Sequence, residues 1–132
     1  MIKLLHIEKH IPDSVLKTVA WLQSKIDVTK MSLSRHIQEH LEGGDHKHGY
    51  NKEGLLKCIQ NLKTNPINPF EVEVEIKPDN KYFVTKYVVR MPYDKDRDIS
   101  VSIRGNKIIT AWLNHVDDIH YTLDLSKYHD SL

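Results

Sequence analysis

At 132 residues, with 39% hydrophobic and 28% charged side chains, the chain can bury a core without staples, and its composition favours neither disorder nor a membrane protein. Its formal net charge of +1 disfavours a non-specific nucleic-acid binder, so any RNA contact has to come from a local patch. The single cysteine, Cys58, excludes an intramolecular disulfide and suits a reducing compartment.

The first residues carry Glu8 and an apolar run too short for a signal peptide, and no stretch approaches the ~20 apolar residues of a bilayer span. Ile2 to Ile7 reads as a short strand. Pro12 and Asp13 then open a helix whose buried stripe is Val15, Val19, Leu22 and Ile26. A second helix runs from a cap at Ser32 or Ser34 to Glu42, with Leu33, Ile37 and Leu41 as its apolar line and Gly43-Gly44 as its stop. The polar segment from Gly43 to Tyr50 is a loop. Asn51 caps a third helix with Leu55, Ile59 and Leu62 inward, and Asn65-Pro66 ends it.

From there the period changes to two. Val72, Val74 and Ile76 alternate with Glu71, Glu73 and Glu75, a half-buried strand with an acidic outer row. After the turn at Pro78-Asp79-Asn80 comes a long strand from Tyr82 to Met91, then a charged loop to Asp98. Ile99, Val101 and Ile103 alternate with Ser100, Ser102 and Arg104, and Gly105-Asn106 closes a tight hairpin. The next strand is Lys107 to Leu113, and Tyr121, Leu123 and Leu125 suggest an edge strand in the tail. No internal repeat interrupts this order. The expected fold is a single α+β domain over residues 1–132: N-terminal helices (about 12–64) packed on a mostly antiparallel four-stranded sheet (about 70–128).

Histidine is the unusual component, with nine in all and six of them (His6, His10, His36, His40, His46, His48) in the first half. His36 and His40 share one helix face, where two imidazoles can bind a metal or act as acid and base near neutral pH. The helical zinc-protease motif is not met, because Ile37 follows the first His where that motif requires Glu. His46 and His48 would be further ligands, but the spacing fits no standard zinc module and Cys58 is a poor fourth ligand. Taken one at a time, these are more often surface or boundary histidines.

On the Lys107–Leu113 strand, Ile109, Ala111 and Leu113 share one face, and Ile108, Thr110 and Trp112 share the other. If the first set packs on the helices, a hydroxyl and a large ring stand together on the opposite face. There a tryptophan can stack a base for ~1–3 kcal/mol, or simply fill a second small core. Lys86, Arg90 and Arg104 supply cations of the kind that stabilise a phosphoryl transition state, although strand cations are more often just solvated. Tyr128, His120 and His129 lie close enough to the end to reach the same face.

The histidine-bearing helix Ser34-Arg35-His36-Ile37-Gln38-Glu39-His40, the sheet that follows, and the last core strand Lys107-Ile108-Ile109-Thr110-Ala111-Trp112 together resemble the barnase/EndoU/colicin/RelE-like superfamily of ribonucleases, in particular its phage-encoded and contact-dependent toxin branches. The likeness extends from about Ser32 to Tyr128, and Asp117 to Asp124 also resembles the tail of small phage proteins of this type. It implies metal-independent cleavage of RNA, tRNA included, by attack of a ribose 2′-OH to give a 2′,3′-cyclic phosphate, with no cofactor. In that scheme His36 or His40 is base or acid, and Thr110 holds a phosphate oxygen. Arg90 with Lys86 or Lys107 offsets charge, Arg104 is a further RNA-binding residue, Trp112 stacks a base, and Tyr128 or His120 is the second proton carrier. The resemblance further implies a neutralising antitoxin or immunity protein as partner, and action in the bacterial cytoplasm by a phage-encoded or delivered protein. Two features depart from the pattern: the low net charge and the surplus of histidines. They keep two other readings in play, a non-catalytic accessory module binding a host protein or RNA, and a histidine-rich metal-binding hydrolase.

Overall fold

A computed structural model of the chain describes residues 1–42, 49–118 and 125–129. Its strands are β1 (Ile2–His6), β2 (Ser32–Leu33), β3 (Glu71–Ile76), β4 (Tyr82–Pro92), β5 (Arg97–Arg104) and β6 (Lys107–His115); its helices are α1 (Asp13–Ser24), α2 (Arg35–Glu42) and α3 (Lys52–Thr64). All six strands join one sheet in the order β1-β3-β4-β5-β6-β2. The pairings are antiparallel except β2 with β6, which is parallel.

The α+β class expected from the sequence therefore holds, but the sheet has six strands rather than four. The two additions are the edge strands, and both come from the helical half of the chain. β1 pairs with β3 across more than sixty residues of sequence, joining Leu5 to Val72 and His6 to Glu71. β2 is a two-residue strand whose Ser32 and Leu33 lie beside Lys107 and Ile108, in a stretch read from the sequence as a helix start. Local periodicity cannot announce so short a parallel pairing.

The helices cover one face of the sheet. Pro12 stands at the N-cap position of α1 and Asp13 lies in its first turn, where a negative side chain suits the helix dipole. Its buried Gln23 donates Nε2 to the Ile67 carbonyl and accepts the Ile67 amide, both at 2.7 Å, so the one buried amide of this helix is satisfied in both directions. Ser34 caps α2: its Oγ accepts from the Ile37 amide at 3.3 Å and donates to the Ile109 carbonyl at 2.6 Å, tying the helix start to β6. Asn51 caps α3 through its Oδ1, which accepts from the Gly54 amide at 2.7 Å.

The core combines Val15 and Val19 of α1, Ile37 of α2 and Leu55, Ile59 and Leu62 of α3 with Val72, Val74, Val89, Ile99, Val101 and Ile108 of the sheet, all fully buried. Each such side chain contributes roughly 1.5–3 kcal/mol by leaving water. One expectation about faces is overturned here. Ile108 lies opposite Ile103 in the core, not beside Thr110 and Trp112, because the register shifts between Ser102 and Ile103 and leaves Ile109 as an extra residue. A bulge of this kind reverses the face of everything on one side of it. In the tail, Leu125 belongs to a 3-10 turn (Leu125–Lys127) rather than to an edge strand, while Tyr121 and Leu123 lie outside the described residues.

Candidate nucleic-acid interface

The face of the sheet opposite the helices carries the polar alternates of four strands, and the register arranges them in rows. Arg90, Ser100 and Trp112 are successive cross-strand neighbours; so are Glu71, Val88, Ser102 and Thr110. Glu73 pairs with Lys86, and Arg104 with Lys107, at the hairpin end. Lys86, Arg90, Arg104, Thr110 and Trp112, nominated separately from the sequence, thus share this face, which is open in that no described helix covers it, although Val88, Ser100 and Ser102 on it are buried; Lys107 is exposed at its rim.

The cations do not stand alone. Arg90 Nε lies 2.9 Å from Asp98 Oδ2, and its Nη2 donates to the His115 carbonyl at 3.0 Å. Arg104 Nη2 is 3.1 Å from Glu73 Oε1, which also accepts the Thr85 hydroxyl at 2.8 Å. Lys86 Nζ lies 3.8 Å from Glu71 Oε2. The expected basic patch is therefore a field of ion pairs. A guanidinium has five donors and can hold a carboxylate and a phosphate oxygen together, so pairing orients Arg90 and Arg104 without exhausting them. Arg104 is the more accessible, with a side chain 50% exposed against 11% for Arg90.

Glu71, Glu73, Asp98, Ser100 and Ser102 were not nominated from the sequence. The repeated Glu of Glu71-Val72-Glu73-Val74-Glu75 is the signal that was there to be read, yet a solvated outer row gives the same pattern. Ser100 is buried and donates to Asn114 Oδ1 at 3.2 Å.

The histidine pair sits at the β6 end of the sheet. Ile37 points into the core, and Gln38 and Leu41 line a groove with Lys52 and Leu56 of α3. At ~100° per residue, His36 and His40 must stand on the other flank of α2, turned away from α3. Their ring centroids are 4.1 Å apart, edge to face; His36 is exposed and His40 half-buried. β6 has a strand partner on its outer side only at Lys107 and Ile108; beyond them Ser34 donates to the Ile109 carbonyl and α2 packs against the strand.

Tyr128 takes a different place. It is buried against His6, ring centroids 4.7 Å apart, and its hydroxyl donates to Glu71 Oε1 in a short hydrogen bond. Glu71 on β3 is three strand spacings from Thr110 on β6, roughly 14 Å. The structure does not bring Tyr128 to Thr110. His129 follows along the β1 edge, where its amide donates to the Leu4 carbonyl at 2.8 Å and its Nδ1 accepts the Leu4 amide at 3.2 Å. His6, fully buried, has its pKa lowered by burial, an effect partly offset by Glu8 and Glu71. His120, His46 and His48 lie outside the described residues.

No group of three His, Cys, Asp or Glu side chains suited to a metal ion occurs among the described residues. Cys58 is half-buried, and burial raises its thiol pKa, which keeps it from being a ready thiolate nucleophile or ligand. Among the described residues no helix is long and apolar enough to cross a membrane. The chain matches no protein-family model, no curated protein sequence and no solved structure. Its function has to be argued from the geometry.

Proposed function

We propose that the protein is a metal-independent endoribonuclease of the toxin kind, with RNA laid across the open face at the β5–β6 end. The observation that carries this reading is the cross-strand lattice itself. Thr110 and Trp112 of β6 stand beside Ser102, Ser100 and Arg90 on the face opposite the helices, and His36 and His40 stand ring to ring on α2, the helix tied to β6 through Ser34.

In this reading Trp112 stacks a base, and Arg90 and Arg104 contact the phosphodiester from either side. One imidazole of the His36–His40 pair takes the proton from the 2′-OH. The 2′-oxygen then bonds to phosphorus as the P–O5′ bond breaks, and the other imidazole, in its protonated form, gives its proton to the departing 5′-oxygen. The products are a 2′,3′-cyclic phosphate and a 5′-hydroxyl. With Tyr128 on the far side of the face, the pair itself supplies both proton carriers.

The test is a short single-stranded RNA incubated with the protein in excess chelator. Cleavage ending in a cyclic phosphate is expected, with His40→Ala and Thr110→Ala each lowering the rate about a hundredfold or more. Growth arrest on expression in a bacterium, relieved by the same substitutions, is the cellular counterpart. Cleavage that needs added metal, or none at all, contradicts the proposal. Because Lys86, Arg90 and Arg104 are all ion-paired, a second reading stands behind it: a non-catalytic module that uses this face to bind a host protein or RNA.

A further inference from the structure

Ser102 and Thr110 are direct cross-strand partners on the open face. Ser102 is only 5% exposed and Thr110 is half-buried. Neither hydroxyl makes a hydrogen bond among the described residues, and Ser102 Oγ is not one of the atoms sealed from solvent. Both hydroxyls can therefore donate to a ligand that reaches this face. Side chains directly opposite on neighbouring strands have Cβ atoms about 4.5–5.5 Å apart, so two hydroxyls there can converge on a single acceptor. The strand bulge lies immediately beside this pair, between Ser102 and Ile103, where such a kink re-aims the side chains next to it. Arg90 lies one row away on the Trp112 side, and Arg104 lies toward the hairpin.

We propose that the Ser102 and Thr110 hydroxyls form a two-donor seat for one non-bridging oxygen of a phosphodiester, which makes Ser102 a phosphate-contacting residue alongside Thr110. Val88, the buried neighbour of Ser102 on β4, is the apolar side chain flanking the seat on that strand. The inference rests on the ribonuclease reading for its ligand, but its geometry is independent of any proton transfer.

Inorganic phosphate and a 2′-deoxy dinucleotide, which lacks the attacking hydroxyl and stays intact, are titrated into the isotope-labelled full chain and followed by amide chemical shifts. Saturable shifts at Ser102 and Thr110 with one common Kd are expected for both ligands. Ser102→Ala and the near-isosteric Thr110→Val should each weaken binding about tenfold, as loss of one hydrogen bond to a charged group does. Melting temperatures of both variants should stay close to the parent's; if one fails to fold, the other still decides. Unchanged binding in a folded Ser102→Ala or Thr110→Val protein, or shifts confined to Lys107 and the helix histidines, overturns the seat. Binding with these losses but no RNA cleavage in chelator leaves the seat standing and removes the ribonuclease reading. Cleavage with unchanged dinucleotide binding in Ser102→Ala does the reverse.

Discussion

The two faces of the sheet are built from the same strands, residue by alternate residue, and they are chemically opposite. The covered face is apolar and closed by three helices, whereas the open face carries ion pairs, hydroxyls and one large ring. On the first, side chains are held by the exclusion of water, and shape decides the cost of a change. On the second, the charged side chains are held by directional partners while Ser102 and Thr110 are not, so function can be altered there at little cost in stability. The proposal that this face meets RNA depends on that division.

The contrast is broken most severely at Ile59, fully buried on α3: Ile59→Ala should destabilise the fold by about 2–5 kcal/mol in chemical denaturation. A Thr110→Val protein, altered on the other face, should fall within about 1 kcal/mol of the parent. Next in size is Gln23→Ala, which leaves the Ile67 amide and carbonyl without their partners and should cost about 2–4 kcal/mol, again by denaturation. His6 offers a pH test. Burial holds its folded-state pKa below the ordinary 6.5, so the unfolded chain binds the proton more readily and the native state is favoured at higher pH. That stability is present above pH 6.5 and is lost as the pH falls from there toward the folded-state value. The melting temperature should therefore drop between pH 7.5 and 5.5, and His6→Phe should flatten part of that slope. The smallest effect is expected at Arg104, half exposed and paired with Glu73. Arg104→Ala should change stability by under about 1 kcal/mol while weakening RNA binding measurably in a salt-dependent titration.

Much of this organisation was legible in the residues because it is local. The stripes Val15–Val19 and Leu55–Ile59–Leu62 have helical spacing, the caps at Ser34 and Asn51 have hydrogen-bonding side chains just before those stripes, and β3 to β6 alternate with period two. What escaped is non-local. β1 joins the sheet only through its pairing with β3, and β2 exists only because Ser32 and Leu33 meet β6. The face of Ile108 depends on a bulge that no propensity marks. At the candidate site the same rule applies: Lys86, Arg90, Thr110 and Trp112 could be placed on one face from alternation, but their acidic partners Glu71, Glu73 and Asp98 follow from register between strands. Tyr128 shows the cost of reasoning from nearness in sequence, since its tail carries it to β1 and β3 instead of back toward β6.

The most direct measurement of the central claim is an amide shift map recorded while a short single-stranded RNA is added to a cleavage-deficient His40→Ala chain at low salt. The expected map is one connected patch on the open face, through Ser100, Ser102, Arg104, Thr110 and Trp112. A map centred instead on the outer surface of α1, around the exposed Trp21, would contradict the account.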